Sequence, residues 1–313
     1  MFTLAIVSPC YNEEAVLDSS ASQLDYLMKD LIARKKISDK SFVALVNDGS
    51  RDKTWNIISD LNKNNKLFRG INLVTNTGKE GALLAGMMYA KEYADAVITI
   101  DVDLQDDINA IEKMIDAHEE GAEVVYGVKV SREADPFLKR FTAESFYKFQ
   151  ASLGVNTIYN HTDFRLMSKR VLQHLSLYPE RNMFLRGLIC DMGFPSATVD
   201  DIIKEREAGE TKFNYTKLLA LAIDGITSFS VKPMQLITYF GIFFMIVFLG
   251  ILIYVIVSLV MNYAVSGWAS LMLSIWFVGG IILLALGITG TYIGKIFKEV
   301  KRRPLYNIGE ILE

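Results

Sequence analysis

A long run without charge limits the architectures open to this chain. Residues 233–294 contain no Asp, Glu, Lys or Arg. A membrane-spanning helix needs roughly 20 apolar residues, so the run has room for two such helices. We expect spans at about residues 234–261 and 269–293, joined by the short segment "NYAVSGW" (262–268). Tyr263 and Trp268 in that segment suit a membrane interface.

Basic residues flank the uncharged run. Lys232 precedes it, and five cations follow it: Lys295, Lys298, Lys301, Arg302 and Arg303. Because basic flanks stay in the cytoplasm, we expect a multi-pass protein of the cell inner membrane with both termini cytoplasmic. The alternative, a buried helical hairpin in a soluble protein, is disfavoured by the length of the run. No signal peptide is expected, since "LAIVS" is short and Glu13 and Glu14 soon follow it.

Charge and cysteine content exclude several classes. The net charge is −3 and the pI is near 5.8, so no basic field favours nucleic acid as a partner. Cys10 and Cys190 are too far apart in sequence for a metal motif, and two cysteines make a disulfide framework improbable. The three histidines, at positions 118, 161 and 174, form no zinc pattern.

The N-terminal part alternates between two periodicities. Short β-branched runs occupy residues 4–8, 42–46, 71–74, 97–100 and 123–127, and helical stretches occupy 14–34, 54–64, 80–93 and 109–119. This alternation predicts an α/β fold with a mostly parallel, Rossmann-like sheet and helices on both faces. Ligands of such sheets bind beyond the carboxyl ends of the strands, so the loops after the strands are the candidate site.

Those loops read "PCYNEE", "NDGSRD", "TNTGKEG" and "DVDLQDD". The chain lacks G-x-G-x-x-G at its first helix and lacks G-x-x-x-x-G-K-[ST], which disfavours a dinucleotide site and a P-loop. Taken singly, "NDGS" could be a tight turn and "YNEE" a helix start with acids near the positive dipole. All four loops are expected at one edge of the sheet, which favours a shared site.

The acidic loop has the clearest chemistry. Asp101 and Asp103 stand two residues apart at a strand end, where unpaired carboxylates would raise each other's pKa. Mg²⁺ is typically held by one or two carboxylates plus substrate phosphates, and Gln105 could add a carbonyl oxygen. The loop therefore predicts a metal–diphosphate site, with a solvated acidic turn as the alternative.

Two apolar and basic stretches suggest contact with a membrane surface. Residues 136–154 read "PFLKRFTAESFYKFQASLG", and residues 215–232 read "YTKLLALAIDGITSFSVK". Both could form amphipathic helices with apolar faces in lipid and basic tips at headgroups. The alternative is that both are ordinary core helices.

Nine segments in order carry a family resemblance: "SPCYNEE", "VNDGSRDKT", "NTGKEGALLAGM", "DVDLQDD", "YGVKVSRE", "DFRLMSKRV", "ERNMFLRGL", "REAGETKF" and "DGITSFSVKP". They resemble glycosyltransferase family 2 enzymes with the GT-A fold. Within that family they are similar to polyprenyl-phosphate glycosyltransferases, the group of the bactoprenol glucosyltransferases and dolichyl-phosphate mannose synthases. The resemblance covers essentially the whole chain.

The resemblance implies a donor site. It places Pro9, Tyr11, Glu13 and Asp48 against the nucleoside, where carboxylates accept hydrogen bonds from base and ribose. It places a basic residue, Lys79, in the nucleotide pocket, with Asp101 beside it. It assigns the Mg²⁺ or Mn²⁺ site to Asp101, Asp103 and Gln105, and so gives Asp103 a catalytic role.

The resemblance also implies residues around the acceptor. Asp163 aligns with an acid often proposed as a base, although orienting sugar hydroxyls or Arg165 is the interpretation we favour. The resemblance matches Lys129 and Arg132 to a basic pair that would hold the acceptor phosphate; a solvated basic face is the alternative. The further phosphate candidates are Lys139, Arg140, Arg165, Arg186, Arg206 and Lys212.

Two departures from the family pattern affect these expectations. The prolines that commonly follow the aspartate motif are replaced here by "DDIN". Lys129 stands where arginine is common, so a point charge replaces a bidentate fork.

Together these observations predict an inverting, metal-dependent enzyme that moves one hexose from a nucleotide sugar to undecaprenyl or another polyprenyl phosphate. UDP-glucose is the favoured donor, with UDP-N-acetylglucosamine and GDP-mannose as alternatives. A processive polysaccharide synthase is disfavoured because Q-x-x-R-W is absent, and the other alternative is a non-catalytic membrane scaffold that binds nucleotides. Expected domains are a GT-A catalytic domain (1–212), an interfacial helix (213–232), two spans (233–294) and a basic tail (295–313). The resemblance also implies a homo-oligomer, with a tetramer as the candidate state.

Overall fold

The computed structural model describes residues 1–129, 158, 160–180, 185–202, 232–261 and 267–313. The chain divides into two compact units. The first comprises Met1–Ala151, Asn156–Asn214 and Arg302–Glu313, and the second comprises Ser152–Val155 and Tyr215–Lys301. Two stretches were predicted to lie at the membrane interface. Residues 136–154 fall outside the described residues, and so do residues 215–232 apart from Lys232.

The first unit alternates strands and helices as the sequence predicts. Its strands are β1 Leu4–Cys10, β2 Phe42–Asn47, β3 Phe68–Leu73, β4 Ala96–Thr99, β5 Val124–Lys129, β6 His161–Ser168, β7 Ser196–Asp201 and β8 Ile308–Leu312. Its helices are α1 Leu17–Ala33, α2 Thr54–Asn64, α3 Lys79–Tyr93, α4 Ala110–Glu119, α5 Lys169–Leu175 and α6 Leu185–Asp191. The predicted α/β class is confirmed, and the five predicted strands correspond to β1–β5.

The described strands form one sheet in the order β7-β5-β6-β4-β1-β2-β3-β8. β1 pairs in parallel with both β2 and β4, and β3 is parallel to β2. The chain moves outward from β1 to β3 and then returns to the other side of β1 at β4. The connections that follow β1 and β4 therefore run in opposite directions along the sheet. Sheets of this kind bind ligands in the crevice beyond the carboxyl ends of two such strands.

Alternate residues of β1 face opposite layers of helices. Leu4 and Ile6 are fully buried in the core that contains residues of α1, α2 and α4. On the other face, Gly86 of α3 packs so closely on Val7 and Val46 that any side chain there would collide with both. Helices thus cover both faces, which explains why β1 and β2 are nearly continuous apolar runs.

An edge strand from the far end of the sequence completes the sheet. β8 pairs antiparallel with β3, with Ile311 opposite Ile71 and Leu312 opposite Gly70. The sequence predicted only a basic tail for 295–313. Part of that tail instead belongs to the first unit.

The second unit contains two long helices, α7 Lys232–Val260 and α8 Trp268–Lys301. Within the described residues, one segment is long and apolar enough to cross a membrane, Phe277–Lys301, with 25 residues. Its apolar side chains are largely exposed, Leu283 and Leu284 among them. The predicted two-span hairpin and its orientation remain predictions.

Candidate functional site

A cavity of about 370 Å³ opens at the carboxyl ends of β1, β2 and β4. Seven residues selected from the sequence line it: Pro9, Tyr11, Glu13, Asp48, Lys79, Asp101 and Asp103. They come from four separate loops, so only the parallel sheet order brings them together. The cavity is also lined by Asn76 and Gly78, which the sequence analysis did not single out.

The loops after β1 and β2 brace each other. The Asn12 N–H donates to Ser50 Oγ (3.0 Å), and the Arg51 N–H donates to Asn12 Oδ1 (2.9 Å). The Glu13 N–H donates to Thr54 Oγ1 (3.0 Å) at the start of α2. "YNEE" is therefore a braced loop before α1, which begins at Leu17.

Asp48 holds the loop between β3 and α3. Its carboxylate accepts hydrogen bonds from the Thr77 N–H (2.7 Å), the Thr77 hydroxyl (3.0 Å) and the Gly78 N–H (3.0 Å). The residue is only 3% exposed. Asp48 thus lines the cavity, and its carboxylate already shapes the loop that leads to Lys79.

Lys79 joins two acidic residues at the cavity. Its Nζ lies 2.8 Å from Asp101 Oδ1 and 2.8 Å from Asp163 Oδ2. Burial would lower the pKa of Lys79, but the charges and hydrogen bonds of Asp101 and Asp163 outweigh burial and raise it. The ammonium therefore stays charged next to the expected diphosphate position.

Asp163, on β6, accepts hydrogen bonds from two arginines. Arg186 donates to both carboxylate oxygens, at 2.8 and 2.9 Å, and Arg165 Nη2 donates to Oδ1 at 2.9 Å. Burial would raise the pKa of Asp163, but the Arg186 hydrogen bonds and the charges of Lys79, Arg186 and Arg165 hold it well below its usual range. The group is therefore a permanent carboxylate, and Arg165, 1% exposed, is locked beside it.

Glu80, which follows Lys79, lies next to the cluster around Asp163 and has a shifted pKa. Burial, together with the charge of Asp163, raises the pKa of Glu80 to about 7. The Leu185 N–H donates to its carboxyl group. Lys79 and Glu80 therefore both connect the first turn of α3 with the residues around Asp163.

The acidic loop fits a divalent cation shared with a diphosphate. Asp101 and Asp103 both line the cavity, and the Asp101 side chain is 41% exposed. Within the described residues, no three His, Cys, Asp or Glu side chains are grouped to hold a metal. The protein would thus supply two carboxylates and leave other positions to phosphate and water, as Mg²⁺ sites often do.

Gln105 differs from the other two predicted ligands. Leu104 before it adopts a left-handed backbone (φ 46°), and the Gln105 N–H donates to Asp103 Oδ1 at 3.4 Å. Gln105 is not one of the described residues that line the cavity. Its Nε2 is buried without a hydrogen-bond partner in the described part of the chain. A metal-binding role for Gln105 stays a prediction.

A second carboxyl pair lies behind the acidic loop. Burial, with the charges of Asp101 and Asp201 and a hydrogen bond to Asp201, raises the pKa of Asp106 to about 8. Asp201, at the end of β7, also accepts from the Asp107 N–H (2.8 Å). Lys129, at the end of β5, lies near enough to oppose that rise in pKa. This pair was not predicted from the sequence, although Asp106 lies within "DLQDD".

Five predicted phosphate-binding residues cannot be placed. Arg132, Lys139, Arg140 and Arg206 lie outside the described residues, as does Lys212. Of the acceptor candidates, the structure places Lys129 beside Asp106, and Arg165 and Arg186 on Asp163. The departures at "DDIN" and Lys129 thus fall next to the Asp106–Asp201 pair.

Comparison with known proteins gives consistent matches over most of the chain. An uncharacterized glycosyltransferase, YkoT of Bacillus subtilis (strain 168), is 48% identical over 97% of this chain and 90% of its own length. The SfII prophage-derived bactoprenol glucosyl transferase of Shigella flexneri is 43% identical over 85% of this chain and 86% of its own. A solved mannosyltransferase from Pyrobaculum calidifontis, in complex with GDP-Man and Mn²⁺, matches 72% of this chain and 63% of its own, with 16% identity and a TM-score of 0.47.

The family description "Glycosyl transferase family 2" matches residues 5–176, more than half of the chain. That range contains the cavity, the acidic loop and Asp163. The match and the full-length relatives confirm both the resemblance and the predicted enzyme class, a glycosyltransferase. The chain belongs to glycosyl transferase family 2.

Proposed function

We propose that this glycosyltransferase moves one hexose from a nucleotide sugar to a polyprenyl phosphate at the cytoplasmic face of the membrane. UDP-glucose is the favoured donor and undecaprenyl phosphate the favoured acceptor. The relative from Shigella flexneri, 43% identical, is named a bactoprenol glucosyl transferase, which supports both the sugar and the lipid. The acceptor phosphate oxygen would attack the anomeric carbon as the nucleoside diphosphate leaves, inverting the configuration there.

The observation that carries this proposal is the convergence of seven predicted residues on one cavity. Its volume, about 370 Å³, lies in the range of small-molecule sites. Tyr11, 40% exposed, offers a ring and a hydroxyl to the nucleoside. Glu13 supplies a carboxylate for base or ribose donors.

Asp101, Asp103 and Lys79 suit the diphosphate end of the donor. Asp101 and Asp103 would hold Mg²⁺ or Mn²⁺, which supplies Lewis-acid stabilisation of the leaving diphosphate. Lys79 contributes a charged ammonium, already oriented by its ion pairs with Asp101 and Asp163. When the donor binds, Lys79 can exchange one of these ion pairs for a phosphate oxygen without moving from the cavity.

Asp163 is better suited to positioning than to removing a proton. A phosphate monoester has a second pKa of about 6, so the acceptor is mostly dianionic at neutral pH and needs no base. The pKa of Asp163 is held below its usual range by its cationic partners, which makes it a weak base. We assign Asp163 the role of orienting Arg165, Arg186 and Lys79. Through these cations it would position the two substrates.

Membrane attachment would bring the two substrates together. The segment Phe277–Lys301 has the length and composition to cross a membrane. The lipid phosphate lies at the membrane surface. Holding the enzyme there keeps the donor cavity close to the acceptor, which favours the reaction through proximity. The two-span hairpin, the cytoplasmic termini and the homo-oligomer belong to this proposal.

In the deciding experiment, the purified protein is placed in detergent with undecaprenyl phosphate and Mg²⁺ or Mn²⁺. It is then given a panel of radiolabelled nucleotide sugars. We expect lipid-linked label from UDP-glucose, lost with EDTA and with Asp103→Ala. Asp107→Asn is the matched control, because Asp107 is in the same loop but its carboxylate accepts from Asn109 at the start of α4. Label from UDP-N-acetylglucosamine or GDP-mannose alone would replace the donor assignment.

Other outcomes favour other classes of function. Label retained in polymer instead of in lipid would favour the processive synthase. No transfer from any donor, beside an active control enzyme, would contradict the proposal and favour a scaffold that binds nucleotides without catalysis.

A further inference from the structure

The loop that leads to Lys79 is in contact with a segment more than 220 residues further along the chain, through a hydrogen bond from the Val74 N–H to the Asn307 carbonyl oxygen. We call residues 305–313, which include β8, the tail segment. Its backbone continues the sheet beyond β3, with Glu310 opposite Asn72 and Ile308 opposite Leu73. β3 runs directly into Val74–Gly78, the loop that carries Asn76 and Gly78 into the cavity. The tail segment therefore pairs with the strand that supports this loop.

The first half of the tail segment lies against the beginning of the loop and against the first turn of α3. The Val74 N–H donates to the Asn307 carbonyl oxygen at 3.0 Å. A Cβ added to Gly81, in the first turn of α3, would lie 3.7 Å from the Leu305 carbonyl oxygen. Val74 is itself packed on Gly309, where an added Cβ would meet the Val74 methyl at 3.2 Å.

The other end of the tail segment is anchored to the distal end of α3. Glu313 Oε1 accepts hydrogen bonds from the hydroxyls of Tyr93 (2.9 Å) and Tyr89 (3.4 Å). Lys66, just before β3, donates to the Glu313 backbone oxygen at 3.0 Å. The tail segment thus contacts α3 near both its first and last turns, and β3 between them.

We propose that the tail segment is a positioning element for the donor site, which sets the place of the 74–79 loop and of Lys79. This inference rests on the proposed function for the identity of the donor. Asp48 fixes the middle of the loop through Thr77 and Gly78. The tail segment fixes its beginning, at Val74, and the helix into which it runs. Without the tail segment, β3 would become an edge strand with unpaired backbone groups, and the loop would be held only by Asp48 and by its packing against Gly49.

The direct test compares the full chain with a chain ending at Pro304, both in detergent. We expect amide hydrogen exchange in residues 74–81 to rise about tenfold, because the Val74 bond and the support of β3 are lost. We expect the donor KM to rise about fivefold while the KM for polyprenyl phosphate and kcat at saturating donor stay unchanged. Glu310→Gln is the control, because its side chain is exposed and backbone pairing does not depend on it.

A milder pair of variants covers the case in which the shortened chain does not fold. Glu313→Ala removes the acceptor for Tyr89 and Tyr93, whereas Glu313→Gln keeps a carbonyl oxygen there. We expect Ala to raise the donor KM about twofold and Gln to restore the full-chain value. A role in stability alone would instead lower the thermal unfolding temperature of the Ala variant and leave its donor KM unaltered.

Two results would overturn the inference. Unchanged exchange at residues 74–81 in a folded, shortened chain would show that the tail segment does not position the loop. Equal changes in donor and acceptor KM would show a general loss of structure. The exchange measurement needs no turnover, so it judges the tail segment even if transfer from every donor fails.

Discussion

Asp163 illustrates how the partners of a residue determine its chemistry. Its carboxylate is almost fully enclosed, and Lys79, Arg165 and Arg186 all lie within 3 Å of it. In the unfolded chain an aspartate has a pKa of about 3.9, so the lowered folded value stabilises the fold above that pH. This stabilisation is lost as the pH falls through the folded pKa. At neutral pH the group has no proton to exchange.

The first prediction follows from this charge. Asp163→Asn leaves two arginines and a lysine without their carboxylate, so activity should fall by about 100-fold or more and stability by about 3 kcal/mol. The acidic limb of the residual kcat/KM should remain between pH 5.5 and 8.5, because that limb arises from the acceptor phosphate. A shift elsewhere in the profile would come from Glu80, whose pKa the charge of Asp163 helps to raise. The measurement is a pH profile of lipid-linked label for both proteins. If the acidic limb disappeared in the variant, Asp163 would be the base after all.

At the scale of elements, the contact between the β2 and β3 loops decides whether the cavity forms. Gly49 has a left-handed backbone (φ 64°), and a Cβ there would lie 2.6 Å from the Asn76 nitrogen. Any side chain would push apart the two loops that Asp48 connects. Gly193 has a similar conformation (φ 68°) but open surroundings, with the nearest atom 4.0 Å away.

The second prediction uses these glycines as a matched pair. Gly193→Ala should cost only the left-handed backbone, about 1–2 kcal/mol of unfolding free energy. Gly49→Ala should cost about 1–3 kcal/mol more, because the loops must shift, and should raise the donor KM. Denaturant unfolding and donor saturation curves measure both effects. Equal losses of unfolding free energy in the two variants would mean that the loops accommodate the added methyl group. The backbone angle φ alone would then determine the loss.

The elements predicted from sequence are those with strong local patterns. β1–β5 and α1–α4 have the expected periodicity, and α2 has the predicted bounds. β8 was not predicted, because "IGEIL" is short, includes a glycine and acquires its structure from β3, which lies far away in sequence. The residues that line the cavity could be predicted, because the order of the parallel strands brings their loops together. The contacts of Arg186 with Asp163, and of Asp106 with Asp201, depend on tertiary packing that no local pattern records.

The whole molecule combines a charged catalytic unit with a helical unit whose central run, residues 233–294, contains no charged residue. The proposed reaction needs the cavity on the same side of the membrane as the nucleotide sugar. A hairpin of α7 and α8 would place both flanks, Lys232 and the cluster after Lys295, in the cytoplasm and the 262–268 segment outside. A single span through α8 would instead place 262–268 on the same side as the first unit and the tail segment on the other. That arrangement conflicts with the pairing of β8 and β3 in one sheet.

The third prediction separates the two arrangements in intact cells. In a Cys190→Ser background, where the remaining native cysteine, Cys10, is buried, we introduce Ser266→Cys or Ser176→Cys. A membrane-impermeant maleimide should label the cysteine at position 266 from outside and should label position 176 only after the cells are opened. The physical reason is that β8 must reach β3, so the chain has to cross the membrane an even number of times between the first unit and the tail segment. Protection of both positions in intact cells would contradict the two-span hairpin and leave both helices on the cytoplasmic side.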